Sequence, residues 1–335
     1  MTTNIKKYEL IPTDTLTLDN TEDSDSGSPT PSVASTSWQT PCGAQLHRIR
    51  ALRTISWPDG SCIEIGELGG YIESESNLSQ DPESKAWIYD SAKVYGNAKI
   101  EDNAEIHDSA TVHGSAHIYG NAQVYDSAHI HGETKIAGNA QIYDSAHIYD
   151  NARIYSSATI AGNAQVYCRA KVYDSATIEG NAIVEGNSNI AGKAKIHGNA
   201  QIRDHAQVYD ITEVYDNAQV VGDANISRHA KIYGNATISG HATISGHAHL
   251  SGDTQVSDNA KISGSAILTD NSGVSDNGQV SDFAHLSGSA WVYDNARVSG
   301  KAHISDTAQI GGTAHISGSA VISGDIKILG AERIR

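Results

Sequence analysis

The stretch Ile118-Tyr-Gly-Asn-Ala-Gln-Val124 contains the six-residue unit that decides the fold of this chain. Its order is aliphatic residue, outward residue, Gly or Asp, Asn or Ser, Ala, outward residue. Counted in steps of six, every position from Ile88 to Ile328 is Ile, Val or Leu. Because a fixed short period is the signature of a repeat architecture, this part of the chain is expected to form one repetitive array.

The period of six predicts short strands joined by tight corners. It matches neither the two-residue period of a continuous strand nor the 3.6-residue period of a helix. A short strand would point the aliphatic side chain inward and its two neighbours outward. Gly or Asp would then turn the corner because both tolerate a positive φ, and Ala would fit inside beside it. We therefore predict an all-β, parallel solenoid.

Three leucines indicate how many units close one coil. Leu250, Leu268 and Leu286 are spaced by eighteen residues, as expected if like residues stack on successive coils. Three units then make one coil of triangular section. The predicted organisation is an N-terminal β cap at 1–85, the β-helix at 86–328 and a C-terminal tail at 329–335.

The segment before the array has the pattern of a small β-rich cap. Residues 8–18 predict an extended segment with a turn at Pro12-Thr-Asp14. Residues 19–41 consist mainly of Asp, Ser, Thr, Pro and Gly, which predicts a flexible insertion because such a composition buries too little apolar surface to fold. Pro58-Asp-Gly60 predicts a turn into residues 61–65, and hence a hairpin. The cap would cover the strand edges that an open solenoid end exposes.

Composition narrows the classes of partner and compartment. The formal net charge is −16 and the sequence pI is about 5.3, which argues against nucleic acid and anionic membrane surfaces as partners. The three cysteines lie far apart, so we expect neither a disulfide framework nor a zinc site. We therefore expect a cytoplasmic location, where cysteines stay reduced. The first residues have no apolar region and no segment is long and apolar enough to span a membrane, so we expect neither a secretory signal nor a membrane span.

The repeated unit Ile-x-Gly-Asn-Ala-x resembles the hexapeptide-repeat proteins, many of which are acyltransferases. The resemblance implies a left-handed parallel β-helix, a trimer and a histidine general base in a cleft between subunits. A narrower block is similar to the bacterial and prophage β-solenoid proteins related to YdcK, often labelled putative transferases. It comprises Ile49-Arg-Ala-Leu, Gly66-Glu-Leu-Gly-Gly-Tyr-Ile-Glu-Ser-Glu-Ser-Asn-Leu-Ser79 and Ala86-Trp-Ile-Tyr-Asp90.

Sixteen histidines provide the first candidate chemistry. They occupy many equivalent outward or turn positions, and no loop interrupts the array to wall a substrate cleft. The sequence therefore predicts no catalytic residue and no cofactor. Some histidines pair at a spacing of eighteen residues, but two imidazoles fall short of the three or four ligands that a transition metal needs. These pairs are His129 with His147, His229 with His247, and His285 with His303.

Stacked aspartates are the second candidate. Asp90, Asp108, Asp126 and Asp144 are predicted to share one corner on four successive coils, about 5 Å apart. Carboxylates at this distance repel one another and attract Ca²⁺, which makes the four residues candidates for a calcium site. The alternative is turn chemistry, because Asp alternates freely with Gly at this position.

The outward residue after each aliphatic is the third feature. It is often Tyr in the first half of the array and mostly Ser from Ser227 to Ser323. Columns of Tyr either bind a glycan or protein partner or stabilise the strands by packing on one another. We expect a non-catalytic scaffold or binding rod, of phage or prophage origin by the resemblance. The alternative is an acyl- or nucleotidyl-transferase of the hexapeptide-repeat class.

Overall fold

The computed structural model describes residues 6–18, 44–57 and 60–335. The chain falls into two compact units, Met1–Asn151 and Ala152–Arg335. Regular structure in the described residues is β, apart from one 3-10 turn at Glu75–Asn77, and they contain no helix long and apolar enough to cross a membrane. The flexible insertion predicted at 19–41 lies outside the described residues.

The described N-terminal strands form the predicted cap of the first unit. They are β1 (Tyr8–Thr17), β2 (Gln45–Ala51), β3 (Ile55–Ser56), β4 (Cys62–Ile63) and β5 (Leu68–Ile72). β1 and β5 both pair antiparallel with β2, and β3 pairs antiparallel with β4 as the predicted hairpin. The register of β1 against β2 shifts between Ile11 and Thr15, where the sequence predicts a turn.

This block covers the first coil of the array. β5 pairs in parallel with the strand Lys93–Val94, and Leu78 forms an isolated parallel bridge to Ile100. Tyr8 and Trp87 are buried and meet edge to face, with ring centroids 6.4 Å apart. Two large aromatic side chains therefore close the core where the coils begin.

The remainder of both units is a parallel β-solenoid. Each strand has two residues, the aliphatic residue and the one before it, and the strands recur every six residues. In the first unit they are β6 to β16: Trp87–Ile88, Lys93–Val94, Lys99–Ile100, Glu105–Ile106, Thr111–Val112, His117–Ile118, Gln123–Val124, His129–Ile130, Lys135–Ile136, Gln141–Ile142 and His147–Ile148. In the second unit they continue at the same spacing from β17 (Arg153–Ile154) to β47 (Arg333–Ile334).

Pairing confirms the eighteen-residue coil. In the first unit His129 pairs in parallel with His147, and in the second unit Lys261 pairs with Gln279. Each strand thus meets the strand three units further along, so consecutive strands belong to three different sheets. The left hand of the coil stays a prediction from the resemblance.

The six positions of the unit take the roles that the pattern predicts. Inward residues such as Ala128 and Ile130 have no exposed surface. Every corner residue from Asp90 to Gly324 has a positive φ, with values from +48° at Asp90 to +82° at Gly324. Gly adopts this conformation without strain and Asp does so more easily than most residues. The described corners with another residue are Ser156, Cys168 and Arg228.

One more strand lies within residues 329–335, the segment predicted as a C-terminal tail. Arg333–Ile334 pairs in parallel with His315–Ile316, and Ile334 stands one step of six beyond Ile328. The pattern is hidden there because Glu332 takes the place of the small inward residue.

Candidate functional site

The calcium candidates Asp90, Asp108, Asp126 and Asp144 all lie at corners of the first unit, with φ between +48° and +57°. Oδ2 of Asp108 accepts a hydrogen bond from the backbone N–H of Asp126, and Oδ2 of Asp126 accepts one from Asp144, both at 3.1 Å. The carboxylates thus link successive coils. In the part of the chain that the structure describes, no group of three or more His, Cys, Asp or Glu is arranged to hold a metal ion. Turn chemistry accounts for these contacts without a cation, and calcium binding stays the alternative hypothesis for this corner.

The same bond explains why Asp and Gly alternate at corners. In the second unit the N–H of Asp276 donates to Oδ2 of Asp258 at 3.2 Å, and the N–H of Gly222 donates to Oδ2 of Asp204 at 2.9 Å. The acceptor carboxylate needs only a backbone N–H on the next coil. An Asp corner therefore adds one bond between coils, whereas a Gly corner removes backbone strain.

The three histidine pairs spaced by eighteen residues are neighbours, as the sequence predicts. The ring centroids are 4.9 Å apart in His129–His147, 4.5 Å in His229–His247 and 4.6 Å in His285–His303. The first two pairs are stacked and the third meets edge to face. The first pair belongs to a larger group.

Four imidazoles, His113, His129, His131 and His147, form what we call the imidazole cluster on one face of the first unit. Nε2 of His113 lies 2.8 Å from Nε2 of His129, and Nε2 of His131 lies 2.9 Å from Nε2 of His147. At these distances one neutral imidazole donates and the other accepts. Sequence reasoning missed these bonds because their partners are sixteen residues apart, on opposite sides of the aliphatic column.

Burial keeps two members of the imidazole cluster neutral. His113 is 5% exposed, and burial, followed by the charges of His129 and His147, lowers its pKa to about 3. Burial, followed by the charge of His147, lowers the pKa of His131 to about 2. A general base works best when its pKa lies near the operating pH. These two imidazoles are therefore suited to holding the face together and poorly suited to moving protons.

Tyrosines stack in columns on other parts of the surface. The rings of Tyr125 and Tyr143 are parallel with centroids 5.0 Å apart in the first unit, and those of Tyr215 and Tyr233 are 4.9 Å apart in the second. Because stacked rings cover one another's faces, the outward surface of such a pair consists of ring edges and hydroxyls. A sugar that packs on a bare aromatic face finds none between the stacked rings.

One corner of the second unit has a different composition, and we call it the cationic corner. Its residues lie on four successive coils and line a groove of about 540 Å³. They include Lys193, Asp210, Ile211, Arg228, His229 and His247.

Another corner of the same four coils carries a column of asparagines, which are common at this position of the unit. The amide of Asn181 donates to Asn199, that of Asn199 to Asn217 and that of Asn217 to Asn235, at 3.0 to 3.1 Å. Such an amide ladder satisfies its own donors and acceptors. The equivalent positions of the cationic corner are Lys193, Ile211, His229 and His247, which form no such ladder.

Arg228 is the residue of this corner that sequence reasoning missed. It occupies a position that is nearly always Gly or Asp, and its φ is +66°. The signal was present in the sequence as a departure from the unit, because every other described corner except Ser156 and Cys168 is Gly or Asp.

Comparison with known families agrees with the geometry. A model of the YdcK β-solenoid repeat matches residues 116–132, 230–246 and 290–306. Each match begins at an inward alanine, so all three share one phase of the six-residue unit. A search of curated proteins finds no match. With its eighteen-residue coils and this repeat, the chain is a β-solenoid repeat protein of the YdcK type.

Proposed function

We propose that the protein is a non-catalytic scaffold whose outward columns bind a partner. The observation that carries the proposal is the register, in which each outward side chain stands beside the one eighteen residues away. Repeated columns of this kind give repeat proteins extended binding surfaces. The partner of such a surface is a protein or an extended glycan that contacts ring edges and hydroxyls. The proposal includes a phage or prophage origin, which the resemblance implies, and a cytoplasmic location, which the cysteine spacing favours.

The two buried members of the imidazole cluster are suited to a scaffold and not to the general-base role of a transferase. A hexapeptide-repeat transferase needs a histidine that accepts a proton near neutral pH beside a donor cleft. The pKa values of His113 and His131 are about 3 and about 2, which leaves both imidazoles weak bases. The cluster instead joins neighbouring coils through its nitrogen–nitrogen hydrogen bonds.

Consumption of acyl-CoA and nucleotide-sugar donors is the experiment that separates the two functions. The protein is incubated with each donor and a mixture of amine and hydroxyl acceptors, and release of coenzyme A or nucleotide is followed. The scaffold proposal predicts release at the rate of the protein-free control. Turnover that depends on protein concentration would establish the transferase alternative.

A further inference from the structure

The cationic corner departs from the repeating unit at two positions, and each departure is unfavourable for the stability of the fold. Arg228 holds a left-handed conformation, with φ at +66°, which a long side chain adopts only at a cost. Ile211 is 50% exposed at a position that usually carries Asn or Ser. Arg228 and Ile211 lie on two adjacent coils and line the same groove. Two unfavourable choices at one place indicate a role other than folding.

Among the residues that the structure describes, no hydrogen bond or ion pair uses the side chain of Arg228. The N–H of Arg228 donates to Oδ2 of Asp210 at 2.9 Å, and its carbonyl accepts from the N–H of Ile211 at 2.8 Å. Both bonds use only backbone atoms of Arg228, and a glycine donates in the same way where the N–H of Gly222 bonds to Oδ2 of Asp204. The guanidinium is therefore available to a ligand.

The charge of the groove favours an anion. Lys193 and Arg228 contribute two positive charges against the carboxylate of Asp210, one oxygen of which already accepts a backbone N–H. Within the described residues neither cationic side chain forms an ion pair. A cationic groove on a chain with a net charge of −16 attracts anions locally.

The groove also has an apolar wall. The rings of His229 and His247 are stacked, with centroids 4.5 Å apart and an interplanar angle of 15°. Ile211 adds an exposed aliphatic surface to the same groove. An inorganic anion would leave this wall unused.

We propose that the cationic corner binds an organic anion, a phosphate or carboxylate carried on an apolar body. The guanidinium of Arg228 takes the anion through its paired N–H donors, and the ammonium of Lys193 adds a second charge. The apolar body lies against the exposed side chain of Ile211 and the edges of the stacked imidazole rings. This site adds a ligand to the proposed scaffold and does not require the scaffold function.

Calorimetric titration of the full chain with phenyl phosphate and with benzoate tests the site. The wild-type protein is expected to bind at least one of them saturably. R228G is expected to weaken that binding at least about tenfold and to raise the urea midpoint of unfolding, because Gly relaxes the corner. S156G is the matched control, since Ser156 has φ +58° outside the groove. It should raise the midpoint and leave the affinity unchanged.

Two results would overturn the site: no saturable binding of either anion by the wild type, or equal affinity in R228G. K193Q changes an unstrained position of the same groove and is expected to weaken binding while leaving the urea midpoint unchanged. The experiments distinguish failure of the scaffold proposal from failure of the anion site. Donor turnover that survives in R228G contradicts the scaffold, whereas loss of phenyl phosphate binding in R228G supports the site whether or not donors are consumed.

Discussion

Acidification is expected to loosen the imidazole cluster before most carboxylates titrate. The folded pKa values of His113 and His131, about 3 and about 2, lie below the value of about 6.5 for an unfolded chain. The unfolded chain therefore binds more protons below pH 6.5, so the stability from these residues is complete above about pH 6.5 and is lost as the pH falls. From about pH 7.5 to about pH 5 each residue loses about 2 kcal/mol, and the two together about 4 kcal/mol. This is an upper limit, because the rings can meet water before the coils open.

Hydrogen exchange followed by mass spectrometry measures this loss locally, which is necessary because repeats open in separate segments. Peptides from 111–149 should lose protection on acidification after correction for the intrinsic exchange rate. H113Y/H131Y removes both titrations and keeps a stacked column, because Tyr already occupies this column at Tyr95 and Tyr149. Its protection should depend much less on pH. H241Y is the control, since the side chain of His241 is 68% exposed, and it should behave as wild type. Equal pH dependence in wild type and H113Y/H131Y would refute the reasoning.

Three further predictions concern the coil. Deletion of residues 240–257, one full coil, should leave a folded protein with native-like circular dichroism, and a collapse to an unfolded chain would contradict independent coils. G198A should lower the free energy of unfolding by about 1 to 2 kcal/mol, because Gly198 has φ +68° and an added Cβ would lie 2.8 Å from the backbone N of Asp216. G198D should cost less, since Asp is the native corner residue on the next coil, and equal urea midpoints for the two variants would contradict this. Calcium or a chelator should leave the thermal midpoint unchanged, because Asp108 and Asp126 already accept backbone N–H bonds; a rise of more than about 2 °C with calcium would establish the cation site.

The coil could be derived from sequence because its determinants are inward and periodic. Leu250, Leu268 and Leu286 give the spacing of eighteen residues, and the structure stacks them in that register. Inward positions tolerate little but small and aliphatic residues, so the pattern there is nearly free of exceptions. The hidden last strand at Arg333–Ile334 shows the limit, since one unusual residue, Glu332, obscures a whole unit.

Contacts on the outer surface were less predictable. The bond between His113 and His129 joins two outward columns on either side of one aliphatic column, so it depends on side-chain rotamers that the period does not specify. Arg228 can be recognised in the sequence as an unusual corner residue, but its backbone strain becomes evident only from the φ of +66° in the structure. The groove beside it needs four coils in register, which no local stretch of sequence displays.

Cysteine cross-linking tests the central claim, that outward side chains stand in columns eighteen residues apart, most directly. Ser263 and Ser281 directly follow the paired residues Ile262 and Val280 on adjacent coils. Neighbouring parallel strands bring Cα atoms to a distance that a disulfide spans. In a cysteine-free background, S263C/S281C is predicted to form an intramolecular disulfide rapidly, whereas S263C/S275C, spaced by twelve residues and on another face, is predicted to remain reduced. Cross-linking of the twelve-residue pair in preference to the eighteen-residue pair would contradict the columns on which the proposed binding surface depends.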